Sequence, residues 1–374
     1  MDAEKLMNVL SDLNREQNSK EVTNTLNNLI NYISSNQSSL ISEANQKLRE
    51  LLTESIVNKY SPSNLEIMEK IGGLEYYGKF ALGRIDAILK ENSFNIQKTA
   101  TDLQKYVQTR TEFSEVVKNT KDNLNKLNID PYYHNDDTFE IGLLMPKEMT
   151  DNKIVNVTKE LNKWDKIFKT LKELNDEEIE DTKLDFISNG SLQFFIDNSP
   201  SIAACLAIVI ERVIKLYRNI IEIRNTRQKL KDLGVTTTEQ KNIEKQEKEI
   251  FNKEIDKIVT DIVKEFATKK IEDGRLNELK IAMKGHVTYV AKCIDNGMTI
   301  EITPPEIQEP EILKSEDTEE NKNEKKQVKS SYERTLKNIE VVEKSMEAVK
   351  TVGQTGLDII KLLTDSDNQN TNDE

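Results

Sequence analysis

The 374-residue chain is polar: 36% of its residues are hydrophobic, 6% are aromatic and 32% are charged, which suits narrow helical stripes better than thick apolar layers. With 66 acidic and 53 basic residues the formal net charge is -13, so a nucleic-acid partner is disfavoured unless basic groups gather on one face. Two cysteines exclude a disulfide framework, and the small numbers of glycines (12) and prolines (7) predict long helices.

Neither a secretory signal nor a membrane-spanning helix is expected. The N-terminal segment MDAEKLMNVLSDLNREQ is charged throughout and has no apolar core of signal-peptide length. The longest apolar run, Ile202 to Ile210, has nine residues, whereas a helix needs about 20 apolar residues to cross a bilayer. We therefore expect a cytoplasmic protein, and its richness in Asn, Lys and Ile is typical of low-GC bacterial proteins.

Residues 1–134 are predicted to form a helical bundle, because apolar residues recur there at helical spacing. Pro62 interrupts the pattern, and Ser63 is expected to cap the next helix. The last helix, roughly residues 95–128, has a heptad-like seam formed by Leu103, Tyr106, Arg110, Phe113, Val117, Thr120, Leu124 and Leu127. Because Arg110 and Thr120 interrupt this seam, it favours a helix of an antiparallel bundle over a dedicated dimeric coiled coil.

Residues 135–305 are predicted to form a small α+β domain with four strands. Phe139 to Pro146 has the apolar density of a strand, and a helix with Trp164 on its apolar face follows at about 151–175. A strand within GMTIEITPP (297–305) ends the domain, because its two prolines cannot continue a sheet.

The middle strands are predicted from a hairpin signal. Asn189-Gly190 suits a two-residue turn, and it connects KLDFI (183–187) to LQFFI (192–196). Both faces of this pair carry apolar residues, so the second segment is expected to be a central strand covered on each side.

A long helical hairpin is predicted at about 200–270. Ser199 and Pro200 begin the first helix, which continues to about Asp232, and Thr236 with Glu239 forms a capping box for the second. A shorter helix returns the chain to the last strand. The resulting order of elements resembles the split β-α-β arrangement of ferredoxin-like folds, a layout that hosts many functions.

The C-terminal part is predicted to hold one helix on a tether. Residues 306–330 are almost all charged or amide residues, which is typical of a disordered acidic linker. Residues 331–364 regain heptad spacing through Ile339, Val342, Met346, Val349, Gly353, Gly356, Ile360 and Leu363. Residues 365–374 are expected to be a disordered tail.

Three motifs approach known chemistry without completing it. Gly73, Gly78 and Lys79 have phosphate-loop spacing, but Phe80 replaces the Ser or Thr that would bind magnesium. A loop with His134, Asp136 and Asp137 has too few ligands for a metal, and we interpret it as an exposed polar loop.

The third motif, Asp181 with Lys183, resembles part of a nuclease strand but has no partner acid. We interpret it as part of a solvated acidic loop. We therefore predict no catalytic residue, no cofactor-binding residue, no metal ligand and no cofactor.

The first hairpin helix carries the main local excess of basic residues: Arg212, Lys215, Arg218, Arg224, Arg227, Lys229 and Lys231. Acidic residues of the returning helix can neutralise them within the hairpin, namely Glu244, Glu247, Glu249 and Glu254. We rank this intramolecular pairing first, and rank a nucleic acid or a membrane surface well behind it.

The leading functional hypothesis is a bacterial helical scaffold or interaction subunit that contacts a protein partner, or another copy of itself, through helices. One alternative is a metal-dependent or nucleotide-dependent enzyme, nuclease-like, of a defence or mobile-element system. Another is a membrane-acting effector in which residues 200–217 insert after a conformational change.

Overall fold

The structure is a computed structural model that describes residues 3–91, 95–132, 138–188, 192–232, 237–267, 271–305, 307 and 326–349, with side chains for all of these except 223–232 and 237–248. The described residues form 12 helices and one four-stranded antiparallel sheet. The predicted fold class, predominantly α with a small α+β region, is therefore confirmed. The chain divides into two compact units, Met1–Tyr133 and His134–Glu374.

The first unit is built from helices and two short 3₁₀ turns. Its helices are α1 (Ala3–Asn18), α2 (Glu21–Ser34), α3 (Ser38–Thr53), α4 (Pro62–Lys70), α5 (Gly78–Glu91) and α6 (Ile96–Lys126), and its 3₁₀ turns are Ile56–Lys59 and Leu74–Tyr76. The expected cap at Ser63 is wrong by two residues. Pro62 is the first residue of α4, and Ser61 caps it by accepting a hydrogen bond from the Asn64 amide at 3.4 Å.

Helix α6 joins two apolar cores of this unit. Its first half contributes Leu103 and Tyr106 to a core shared with α2, α3 and α5, and Val117 lies in a second core with α1 and α4. The seam residues Leu103, Tyr106, Arg110 and Val117 are all buried inside the unit. These four seam residues are therefore used within one chain, as in a bundle.

The second unit alternates strands and helices. In chain order it contains β1 (Phe139–Met145), α7 (Lys147–Thr150), α8 (Ile154–Leu174), β2 (Leu184–Ser188), β3 (Leu192–Asn198), α9 (Pro200–Asp232), α10 (Thr237–Phe266), α11 (Asp273–Asp295), β4 (Thr299–Thr303) and α12 (residues 326–349). Both helices of the predicted hairpin are present with nearly the predicted bounds. The Asn189-Gly190 turn lies outside the described residues, as do residues 350–374.

The sheet has the strand order β2-β3-β1-β4, and every neighbouring pair is antiparallel. This is the ferredoxin-like order expected from the sequence, with β3 as an inner strand. Side chains of one face, including Ile141, Phe194 and Ile300, belong to the core that the helices share. On the other face Gly142 leaves room for its neighbours, since a Cβ there would lie 2.6 Å from Glu301 Cγ and 2.9 Å from Phe195 Cε1.

The most apolar stretch of the chain, Ile202 to Ile210, forms the first turns of α9 and is buried throughout. Its surroundings explain this burial, because α9 packs against β1, α8, α10 and α11. A helix enclosed on all sides must be apolar all round. Within the described residues, no helix is both long enough and apolar enough to cross a membrane.

Candidate interaction surface on helix α12

Helix α12 carries one continuous apolar stripe. Its members recur every three or four residues, so they share one face of the helix: Val328, Tyr332, Leu336, Ile339, Val342, Met346 and Val349. The described part of this helix includes residues 326–330, which we expected to belong to a disordered linker (306–330). Residues 331–349 of the predicted helix (331–364) are helical, and the rest of that prediction lies outside the described residues.

The C-terminal half of the stripe is part of the core of the second unit. Val342, Met346 and Val349 are exposed by only 0%, 7% and 9%, and they cluster with the apolar residues of α9. Together these side chains fix the end of α12 on the α+β core.

Two polar contacts to α9 accompany this packing. The Ser345 hydroxyl donates to Glu211 Oε2 at 3.4 Å, and Arg218 Nη2 donates to the Ala348 carbonyl at 3.4 Å. Both distances are at the long end of the hydrogen-bond range, so the apolar contacts dominate the attachment.

The N-terminal half of the same stripe is only partly covered. Val328 is 54% exposed and Leu336 is 36% exposed, while Tyr332 and Ile339 are partly buried. A helix whose apolar face is uncovered for several turns gains little stability from packing there. We call Val328, Tyr332 and Leu336 the open stripe.

The segment of α12 that contains the open stripe is mostly positive in charge. Lys326, Lys329, Arg334 and Lys337 accompany a single acid, Glu333, between residues 326 and 337. All five are exposed, and within the described part of the chain none of the four cations has an ion pair. The open stripe thus lies in a basic segment of an acidic protein.

A second uncovered apolar surface lies at the β2 edge of the sheet. Leu184 and Ile187 are 46% and 50% exposed, and Ile179 in the preceding loop is 53% exposed. The pairing of β2 with β3 shifts register between Leu184 and Phe186. Such irregularities are a common protection of sheet edges against further strand pairing, so this edge is the weaker candidate.

The structure places the phosphate-loop-like residues in a helix joint that is already filled. Gly78 has φ 55° and begins α5, and Asn58 Oδ1 accepts the Lys79 amide at 2.9 Å. The Asn58 amide group is fixed by donating to the carbonyls of Leu52 (2.8 Å) and Thr53 (3.0 Å). Asn58 therefore occupies the position where a phosphate would have to meet the helix N-terminus.

Arg110 contacts the same joint, which we define as residues 72–79, between α4 and the start of α5. Arg110 is only 4% exposed. Its Nε donates to the Tyr76 carbonyl at 3.2 Å, and its Nη1 donates to Thr23 Oγ1 at 2.7 Å. The guanidinium also lies 5.6 Å from the Tyr77 ring centre. Burial raises the pKa of the Tyr77 hydroxyl above its ordinary value, and Arg110 partly offsets this. An arginine in the seam of α6 is therefore a bridge between α2, α6 and the joint.

Asp181 belongs to a solvated acidic segment. Its side chain is 94% exposed and forms an ion pair with Lys169 at 2.8 Å. Lys169 also contacts Asp165 at 2.9 Å, so one lysine of α8 holds two acids. Within the described ranges no three His, Cys, Asp or Glu side chains are grouped to hold a metal ion. The loop residues His134, Asp136 and Asp137 lie outside those ranges.

The polar residues between α8 and α11 bind one another. The Tyr289 hydroxyl donates to Glu160, which also pairs with Lys163 at 2.7 Å, and burial raises the pKa of Tyr289. His286 Nε2 lies 2.9 Å from Thr170 Oγ1. Sequence reasoning did not find these two pairs, because the members of each are far apart in the chain and belong to no local motif.

Neither cysteine has the properties of a nucleophile. Cys205 and Cys293 are both buried free thiols. Burial raises the pKa of Cys205 well above its ordinary value, and it raises the pKa of Cys293 to about 11. A thiol that stays protonated at neutral pH is a poor nucleophile and metal ligand.

Two of the three basic residues of α9 with described side chains pair with acids of the chain, although not with the acids that we expected, and the third, Arg218, donates to the Ala348 carbonyl. Arg212 pairs with Glu265 of α10 at 2.8 Å, and Lys215 pairs with Glu211 of its own helix at 2.6 Å. Glu249 is exposed and Glu254 is partly buried. Six further residues of the prediction lie outside the described side chains: Arg224, Arg227, Lys229, Lys231, Glu244 and Glu247.

Comparison with family models, with curated proteins and with solved structures finds no match to this chain.

Proposed function

We propose that this protein is an interaction subunit that binds an amphipathic helix of a partner protein on the open stripe of α12. The observation that carries the proposal is the division of one apolar stripe into a buried half and an exposed half. Val342 is fully buried on the α+β core, whereas Val328 on the same face is 54% exposed. The buried half attaches the helix to the core, and the exposed half presents apolar side chains beyond the core.

The energetics favour a role for a partner at this surface. Complete burial of a fully exposed Val or Leu side chain stabilises by about 1.5–3 kcal/mol, so covering Val328 and Leu336, which are 54% and 36% exposed, is worth about 1–3 kcal/mol in total. A helix laid in antiparallel or parallel register can cover residues spaced by three and four positions along one face. The surface therefore suits one helix of a partner whose apolar side chains contact α12 at successive turns.

Two alternative activities have less support. A nucleotide-dependent enzyme would need Lys79 and its helix N-terminus for phosphate, and Asn58 already binds the Lys79 amide. A membrane-acting effector would need residues 200–217 to leave the core, and Ile202 to Ile210 lie at its centre. Extracting that segment would expose its own buried residues and the apolar side chains that pack against them.

The proposal is tested with full-length protein and a fluorescent helical peptide that has leucines at heptad spacing and glutamine at all flanking positions. We expect fluorescence anisotropy to detect binding, and Leu336→Asp to weaken it at least tenfold, because about 1.4 kcal/mol corresponds to a factor of ten. The control is Ile154→Asp on α8, since Ile154 is 85% exposed and far along the chain from α12.

Equal binding by Leu336→Asp and by the unchanged protein would place the contact elsewhere and contradict the proposal. Absence of binding to the unchanged protein, together with a monomer in light scattering, would contradict it as well. Circular dichroism of both variants checks that the exposed substitutions leave the helical content intact.

A further inference from the structure

We infer that α12 opens from the α+β core as a separate unit, and that a helix bound on the open stripe holds it closed. This inference rests on the function proposed above and adds the regulation of the same surface. Within the described residues of α12, burial is confined to the C-terminal end, at Val342, Ser345, Met346 and Val349. Residues 326–341 are exposed or only partly buried, so the core fully covers this helix over only about two turns.

The polar contacts between α12 and α9 add little to this attachment. The Ser345 hydroxyl meets Glu211 and the Ala348 carbonyl meets Arg218, both at 3.4 Å. Glu211 also pairs with Lys215 of its own helix at 2.6 Å, so it keeps a partner when α12 leaves. The free-energy cost of opening is therefore mainly the exposure of the three apolar side chains in the buried half.

The other helices around this core have larger attachments. Residues 202–210 of α9 are buried throughout. Arg275 of α11 donates two hydrogen bonds to Glu173 of α8, of 2.6 and 2.7 Å. Helix α8 buries five large side chains, namely Trp164, Ile167, Phe168, Leu171 and Leu174. Segments with few buried apolar contacts open at a lower free energy than the rest of a fold, so α12 should open while α8, α9 and α11 stay in place.

Opening removes the packing on which the helical structure of α12 depends. Most helical stability in proteins comes from the packing of an apolar face rather than from helix propensity. Once the buried half leaves the core, the remaining contacts are the partly buried side chains of Ile339 and Val341. We therefore expect residues 332–349 to lose their protection together rather than one turn at a time.

A helix on the open stripe stabilises the closed state. Val328, Tyr332 and Leu336 form one surface only while α12 is helical, because spacings of three and four residues share a face in a helix. A ligand that binds only the closed state lowers the relative population of the open state by the factor 1 + [L]/Kd. Occupation of the open stripe thus controls how often α12 leaves the core.

Hydrogen exchange of the full-length protein, followed by mass spectrometry, tests the opening. We expect the amides of residues 332–349 to exchange at least about 100-fold faster than those of residues 202–210, a difference of about 2.8 kcal/mol in opening free energy. Exchange of residues 342–349 as slow as that of residues 202–210 would overturn the inference, even with fast exchange of residues 332–338.

A substitution in the core shows whether α12 exchanges independently. Phe168 is fully buried in α8, and Phe168→Leu should speed exchange of residues 202–210 by about tenfold through the loss of core packing. Residues 342–349 should stay within about twofold of the unchanged protein, because their opening leaves Phe168 in place. Equal acceleration of both segments would mean that α12 leaves only when the unit unfolds, and the inference would be wrong.

Two identical substitutions in α12 provide a matched pair. Val342→Ala removes a fully buried side chain, and Val328→Ala makes the same change at a position that is 54% exposed. The first should speed exchange of residues 342–349 by about tenfold, and the second by less than about twofold. Equal effects of the two would contradict an attachment through the buried half.

The leucine peptide with glutamine at its flanking positions separates this inference from the proposed function. At ten times its Kd the peptide should slow exchange of residues 342–349 by about tenfold. Peptide binding that leaves this exchange unchanged would overturn the inference while helix docking remains. Fast exchange of α12 without any peptide binding would contradict the proposed function and the closing by a helix, and would leave the opening itself established.

Discussion

Replacing Arg110 with methionine should destabilise the first unit without affecting the second. The substitution removes the hydrogen bonds to the Tyr76 carbonyl and to the Thr23 hydroxyl, of 3.2 and 2.7 Å. A hydrogen bond to a charged group contributes about 1.5–3 kcal/mol, and contact of a methionine sulfur with the Tyr77 ring returns about 1 kcal/mol. The expected loss in the free energy of unfolding is therefore about 2–5 kcal/mol.

The position of the only tryptophan provides an internal reference for this experiment. Trp164 is fully buried in α8 of the second unit, so its fluorescence in urea follows that unit. Circular dichroism follows both units, because both are helical. We expect Arg110→Met to lower the urea midpoint of the first unit and to leave the tryptophan transition in place.

The control is Arg84→Met, also in the first unit. Arg84 is exposed, and its contact with Glu75 is 3.9 Å long, so its loss should change stability by less than about 1 kcal/mol. An equal, small effect of both substitutions would refute the role assigned to the buried guanidinium. A shift of the tryptophan transition by Arg110→Met would refute the assignment of its effect to the first unit.

Two further predictions concern the second unit. Gly142→Ala should destabilise the second unit by roughly 1–3 kcal/mol, because the new methyl group would lie 2.6 Å from Glu301 Cγ. Tryptophan fluorescence in urea measures this loss of stability, and an unchanged urea midpoint would contradict the expected steric clash at Gly142. Burial and, to a smaller extent, the charge of Lys166 lower the pKa of His286 in the folded protein. The contribution of His286 to the free energy of unfolding is therefore complete above the pKa of the unfolded state, near 6.5, and is lost as pH falls through the pKa of the folded state. His286→Gln should flatten the pH dependence of the tryptophan transition below about pH 6.5, whereas an unaltered slope would exclude this histidine as its cause.

Much of the second unit could be predicted from the sequence because its signals are local. The hairpin residues on either side of Asn189-Gly190 specify two adjacent strands, and Ser199 with Pro200 specifies where α9 begins. The strand order then follows from connectivity, since a long helical connection carries the chain from β3 past β1 to β4. Local patterns and simple rules of connection were sufficient for this part of the fold.

Details that depend on tertiary contacts were not predictable. Periodicity identified Arg110 as an interruption of a seam, but its hydrogen-bond acceptors, Tyr76 and Thr23, lie 34 and 87 residues away in the chain. The pairs Glu160–Tyr289 and Thr170–His286 have the same origin, since α8 and α11 meet only in the folded unit. Residue types and their spacing do not indicate which residues far apart in the chain will be in contact.

Helix α12 shows why the candidate site itself was out of reach of sequence reasoning. Val328 and Val342 occupy the same stripe with the same spacing, yet one is 54% exposed and the other is fully buried. The sequence pattern specifies which face of the helix is apolar, whereas the shape of the α+β core determines how much of that face is buried. The boundary between the two halves is therefore a property of the fold. A partner helix that continues this packing would cover the residues that the core leaves exposed.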